Sequence, residues 1–235
     1  MKKIILACAT AILSLSFINA QTEEGSTYDS RRILLGATAG VNMTTYSGDR
    51  NAEMGLGGQF GINCDIPVNE SFSVMPELIF SYKTVKLDNI VWDTSGDVLR
   101  MESTDNLFYM NVPITVKWGM EMGPGRPFVA LGPMISVGLF GHNKMKDAGE
   151  DDTLLLFQSD PNSYLWAYRE KPIYNNLDFS AYLKLGYDFD FGLSTSLAFQ
   201  YGFVNMYKQP EVFRESGLKD SQTSMTFSFS IGYSY

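Results

Sequence analysis

Seven charged side chains fall where a narrow protein interior would have to hold them: Asp65, Glu77, Lys83, Lys117, Lys184, Asp188 and Asp190. Charges taken out of water must be paired, so the simplest chemistry they support is a salt-bridge network, and a chain of such groups can also act as a gate or a narrow ion path. Glu77 and Lys184 stand at similar distances from their nearest turns and are expected to meet, with Lys117 somewhat lower. Acid–base or nucleophilic catalysis would need a base beside a serine or a carboxylate. The only histidine is His142, and no His-x-Ser spacing accompanies it. The acidic run Gly149 to Asp152 lacks the spaced ligands of a calcium loop. No catalytic residue, cofactor or metal site is therefore expected. The stretch from His142 to Asn176 carries a different signal. Leu154, Leu155, Leu156 and Phe157, followed by Tyr164, Trp166 and Tyr168, would make an apolar surface patch of the kind that marks a binding site.

These residues are placed by strands. From Ile33 to Met43 the odd positions are apolar and the even ones are Leu, Gly, Thr, Gly and Asn; from Met54 to Ile66 the apolar row is the even one. The same period of two recurs over 72–83, 108–118, 129–139, 177–191, 193–203 and 225–235, which makes eight strands. A soluble sandwich also alternates, but its outer face is richly charged. Here the non-apolar face is mostly Gly, Ser, Thr, Asn and Ala, suited to the crowded inside of a small barrel, while the apolar face is unbroken by charge and aromatic at its ends. The connections alternate too, short at PVNES, EMGPGR and the Asp190–Gly192 turn, and long over 44–53, 87–105, 142–176 and 207–221. That asymmetry separates periplasmic turns from extracellular loops. The segment 91–101 reads as a hairpin tip around Ser95 and Gly96. The fold class is all-β, an eight-stranded antiparallel transmembrane β-barrel with short periplasmic turns and long extracellular loops. Its final strand closes on its first, because a spanning barrel leaves no free edge.

The first twenty residues, MKKIILACATAILSLSFINA, have the basic, apolar and small-residue regions of a secretory signal peptide, with cleavage expected near Ala20. Residues 21–32 then form a periplasmic N-terminal segment and 33–235 the barrel. Loss of the two leader lysines makes a formal charge of −8 more negative still, the wrong sign for binding nucleic acid. Cys64 alone would remain, so no intrachain disulfide holds the domain.

Three segments, PELIFSYK at 76–83, NVPITVKW at 111–118 and RPFVALGP at 126–133, resemble the strand motifs of the PorT-like porin family, eight-stranded outer-membrane barrels common in Bacteroidota. The resemblance spans the mature chain in order and spacing. It implies outer-membrane localisation, and its name-giving member implies a link to protein secretion. Pro76, Pro113 and Pro133 fall inside these motifs, where proline is expected to mark a bulge or a strand start. The ending Tyr233, Ser234, Tyr235 resembles the C-terminal insertion signal that the outer-membrane assembly machinery recognises. The expected function is that of a structural or interaction protein with a side-chain-filled polar interior, in contact with outer-membrane lipid and with a possible protein partner through its extracellular loops. A narrow channel or transporter for small solutes and an accessory component of secretion are the alternatives.

Overall fold

The computed structural model describes residues 32–48, 52–92, 98–145, 153–158, 172–206 and 222–235. Within them the chain forms nine strands: β1 Leu34–Ser47, β2 Ala52–Pro67, β3 Phe72–Trp92, β4 Val98–Gly119, β5 Gly125–Met145, β6 Thr153–Leu155, β7 Leu177–Phe189, β8 Leu193–Gly202 and β9 Thr223–Ser234. Every pairing is antiparallel, and the hydrogen-bonded order β4-β3-β2-β1-β9-β8-β7-β5 is closed by a β4–β5 ladder. This is the eight-stranded antiparallel barrel. β6 is an addition of three residues that hangs on the upper part of β5. The seam between first and last strands runs from Gly36 opposite Ser234 to Ser47 opposite Thr223. The expected signal peptide and all but the last residue of the expected N-terminal segment lie outside the described residues.

Parity sets the facing as the alternation requires. Leu56, Phe60, Leu131, Leu197 and Phe229 point outward and are exposed, while Asn42, Thr44, Ser81, Thr115, Lys184 and Thr226 point inward and are buried. In β5 the rule changes once. Tyr109 pairs with Gly138 but Phe108 with Phe140, so Leu139 is an extra residue and the outward row moves from odd to even numbers. Gly141 and Asn143 consequently turn inward, and Phe140 turns outward to stack on Phe108.

Three strands are longer than the alternation of apolar residues indicates. The β3–β4 ladder continues to Trp92 opposite Val98, so the long connection 87–105 is mostly hairpin, as the turn residues at Ser95 and Gly96 suggest, with its tip outside the described residues. Above Tyr82 the outward row becomes Thr84 and Lys86, facing Asn106 and Thr104, while the inward row keeps Val85, Leu87 and Leu107. A strand that rises beyond the apolar band loses its outer hydrophobic row yet keeps its inner one, and so resembles a loop in sequence.

The prolines behave differently from expectation. Neither a strand start nor a register shift accompanies them. The β2–β3 ladder omits Cys64 and Asp65 opposite Pro76 and Met75, the β3–β4 ladder omits Glu77 and Leu78 opposite Pro113 and Val112, and the β4–β5 ladder omits Ile114 and Thr115 opposite Pro133 and Gly132. Register is kept on either side of each gap. A proline lacks the N–H for its own ladder bond, and losing a pair locally is accommodated when the flanking pairs hold the strands in place.

Candidate functional site: the filled lumen and its two ends

The inward side chains form alternating polar and apolar layers. At the end carrying the short turns, Lys117 on β4 lies between Asp65 on β2 and Asp188 on β7, at 2.5 and 2.7 Å. Its ammonium also sits 4.5 Å from the centre of the Phe128 ring. Arg126, cross-strand from Asp188, donates to the carbonyls of Glu70 and Gly119 at 2.6 and 3.0 Å, tying two turns together. A vestibule lined by Asp65, Lys117, Asp188, Ser194 and Ser234 opens at this end. Next come the buried Met75, Phe128 and Ala130. Beyond them Lys184 on β7 donates to Glu77 on β3 at 2.8 Å.

A second apolar layer, Ile79, Met134, Tyr182 and Ala198, crosses the middle. Above it a polar relay begins at Lys83, whose ammonium donates to Gln200 at 2.8 Å; Gln200 donates to Ser180 at 3.1 Å and Ser180 to Asp178 at 3.3 Å. Lys83 also approaches the Tyr109 ring at 5.2 Å.

The loop end is closed by the connection between β5 and β7. Leu156, Phe157, Ile173 and Tyr174 enter the mouth and bury themselves against Tyr46, Val85, Leu87, Leu107, Tyr109 and Met206. Phe157 meets Tyr109 edge-on at 5.4 Å, and Tyr174 meets Tyr46 at 6.2 Å. In their midst the fully buried Asp105 accepts hydrogen bonds from Tyr46 at 2.8 Å, from Asn143 at 2.7 Å and from Tyr174 at 2.5 Å.

Six of the charged residues singled out in the sequence, Asp65, Glu77, Lys83, Lys117, Lys184 and Asp188, thus line the lumen, and the Glu77–Lys184 meeting is seen. Asp190 does not join them: it is exposed in the β7–β8 turn. The interior is less polar than the alternation implied, because β3 carries Met75 and Ile79 among its inward residues and apolar residues on both faces blur the parity signal. Leu156 and Phe157 are packed into the mouth and present little surface, whereas Leu155 is 40% exposed. The Leu154 side chain, Tyr164, Trp166, Tyr168 and the acidic run 149–152 lie outside the described residues. His142 is a strand residue opposite Asn106 and Leu155. Tyr233 faces outward on β9, and the Tyr235 backbone exchanges hydrogen bonds with Leu35 at 3.0 and 3.2 Å. Asp105, Arg126, Asp178 and the three donors to Asp105 escaped the sequence reading. The available signal was the inward parity of Ser103, Asp105 and Leu107, which continues the row of Tyr109 and Asn111.

A family model of the outer membrane protein beta-barrel domain matches residues 19–208. Among solved structures, the chain is similar to Ail, the attachment invasion locus protein of Yersinia pestis, in complex with the heparin analogue sucrose octasulfate. Identity is 11%, the match covers 87% of this chain and 99% of that one, and the TM-score is 0.39. Neisserial surface protein A matches at 12% identity over 90% and 100% of the two chains with a TM-score of 0.37. The outer membrane protein OprG of Pseudomonas aeruginosa matches at 13% identity over 86% and 94% with a TM-score of 0.39. No curated protein sequence matches.

Proposed function

The chain belongs to the outer membrane protein beta-barrel domain family, and on that premise we propose that it works as a closed barrel of the cell surface, a structural or interaction protein that meets its partners through its loops. One observation carries this reading: above the vestibule at the turn end, the lumen is closed at its middle and at its mouth. The apolar layer of Ile79, Met134, Tyr182 and Ala198 crosses its middle, and the 153–158 and 172–176 segments fill its mouth. An eight-stranded barrel has room inside for side chains and little else, which weighs against the narrow channel or transporter. The cations inside serve carboxylates, ring faces or backbone carbonyls, so they hold the wall together. In this reading the turns face the periplasm, the mouth faces outward, and the outward apolar rows contact outer-membrane lipid. Tyr233 and Tyr235 act as the insertion signal during assembly. The exported chain is processed near Ala20.

The finer placement beside PorT-like members rests on three motifs that lie side by side on β3, β4 and β5, each with its strand proline. It brings with it the accessory role in secretion. Affinity capture of the intact chain from native outer membranes tests both partner readings. Recovery of a protein partner that is lost when the 146–171 connection is shortened supports interaction through the loops. Capture of a larger secretion assembly whatever the loop length supports the accessory role, and recovery of lipid alone contradicts both.

A further inference from the structure

The vestibule at the turn end has one wall built from two cross-strand rows. Gly36 on β1 stands between Asn63 on β2 and Ser234 on β9, and Gly232 on β9 stands beside Ser194 on β8. A Cβ built on Gly36 would lie 2.5 Å from the Ser234 Oγ and 2.6 Å from the Asn63 Oδ1, and one on Gly232 would lie 2.7 Å from the Ser194 Oγ. The bare glycines thus let three side-chain oxygens lean over the wall. Asp65, two residues on from Asn63 and on the same face of β2, is 5% exposed. Its Oδ2 is held by Lys117, while its Oδ1 has no hydrogen-bond partner. Asn63, Asp65, Ser194 and Ser234 line one cavity of about 30 Å³. That volume holds one or two water-sized particles and no larger solute.

The cations nearby are already committed. Lys117 serves Asp65, Asp188 and the Phe128 ring, and Lys184 serves Glu77. The Arg126 guanidinium is bonded to the Glu70 and Gly119 carbonyls. Three carboxylates therefore stand against two ammoniums, and the buried group left without a donor on the cavity is a carboxylate oxygen. Burying such an oxygen without a partner is costly. A water would satisfy its hydrogen bonding and leave its charge unmatched. We propose that the vestibule is a binding site for a sodium- or potassium-sized monovalent cation, held by the Asp65 Oδ1 together with the oxygens of Asn63, Ser194 and Ser234. A divalent ion fits less well, because its sites are built from several carboxylates, and among the described residues no three acidic, histidine or cysteine side chains converge. The ligands come from β2, β8 and β9, so a bound ion clamps the seam where the last strand closes on the first. This goes beyond the closed-barrel reading and stands apart from it, since every ligand lies on the turn side of the middle apolar layer.

The test uses the full chain refolded into phosphatidylcholine vesicles and unfolded by urea in sodium chloride, potassium chloride or choline chloride at equal concentration. Choline is too large for the cavity and keeps the ionic strength constant. Sodium or potassium is expected to raise the unfolding midpoint above its value in choline, with the folding equilibrium constant rising about tenfold once the ion reaches ten times its dissociation constant. Sodium-23 line broadening by the folded protein, reversed by potassium, reads the binding directly. Asp65→Asn should abolish both signals. Because that change also takes a partner from Lys117, the paired variant Ser194→Ala with Ser234→Ala, which leaves the Lys117 contacts in place, is measured beside it, each protein checked for folding by its gel mobility before heating. The paired variant should fold and lose most of the ion response. Equal unfolding midpoints of the parent in all three salts overturn the proposal. An ion response as strong in the folded paired variant as in the parent overturns the assignment to this vestibule.

Discussion

Lys184 and Glu77 join strands that are not neighbours: the 2.8 Å bond from Nζ to Oε2 spans β7 and β3, with β5 and β4 between them. The Lys117 ammonium likewise bridges β4 to β2 and β7. Such links cross the lumen where backbone ladders cannot reach, and they fix the barrel's cross-section. Their worth lies in what happens when one member is missing, since a buried ion without its partner costs far more than the pair contributes.

Lys184→Ala is accordingly expected to destabilise the barrel by roughly 3–5 kcal/mol, because Glu77 would be left buried and unpaired. The double variant Lys184→Met, Glu77→Leu removes both charges and should recover most of that loss. Urea unfolding from lipid vesicles, followed by tryptophan fluorescence, compares the two; equal destabilisation would argue against a pair in the lumen.

The facing of β9 makes a second prediction. Phe229 points outward and Ser228 inward. Arginine in place of Phe229 should cost roughly 2–4 kcal/mol near the bilayer midplane, whereas Ser228→Ala should cost little. Unfolding curves that treat the two substitutions alike would contradict the facing.

Gly192 and Gly123 separate two demands on a turn. Both have positive φ, +91° and +67°. A Cβ at Gly192 would come within 2.6 Å of the Ser234 carbonyl oxygen, while one at Gly123 meets nothing closer than the Tyr187 hydroxyl at 4.0 Å. Gly192→Ala carries the left-handed penalty of roughly 1–2 kcal/mol together with that clash. Gly123→Asn, a residue that tolerates the left-handed region, should be nearly neutral. The same unfolding assay ranks them.

How much of this could be read from sequence depended on which face carried the signal. β1, β2 and β7 have one apolar and one polar row, and their facing was legible residue by residue. β3 was harder, because Met75 and Ile79 put large apolar groups inside as well, and the interior consequently reads as more polar than it is. Turn residues at Ser95 and Gly96 announced a hairpin, but the reach of its strands was hidden for the opposite reason: Thr84, Lys86, Thr104 and Asn106 have no lipid-like surroundings to match and look like loop. The lysines and carboxylates of the lumen were legible because charge on an inward row is rare. Asp105 was not, since its partners are tyrosines and an asparagine from three other elements, and nothing local announces them. Leu156 and Phe157 read as a sticky surface because apolar residues in a long connection look the same whether they face a partner or fold back into their own barrel.

The measurement closest to the central claim is single-channel recording of the full chain refolded into planar bilayers, with mobility on unheated gels confirming that the inserted protein is folded. A lumen closed at its middle and mouth predicts a silent baseline under applied voltage, at neutral pH and moderate salt, and continued silence after Lys184→Met with Glu77→Leu, because the middle apolar layer and the packed mouth remain. Discrete, reproducible conductance steps from the folded protein would contradict a closed barrel and make the chain of buried charges a path for ions.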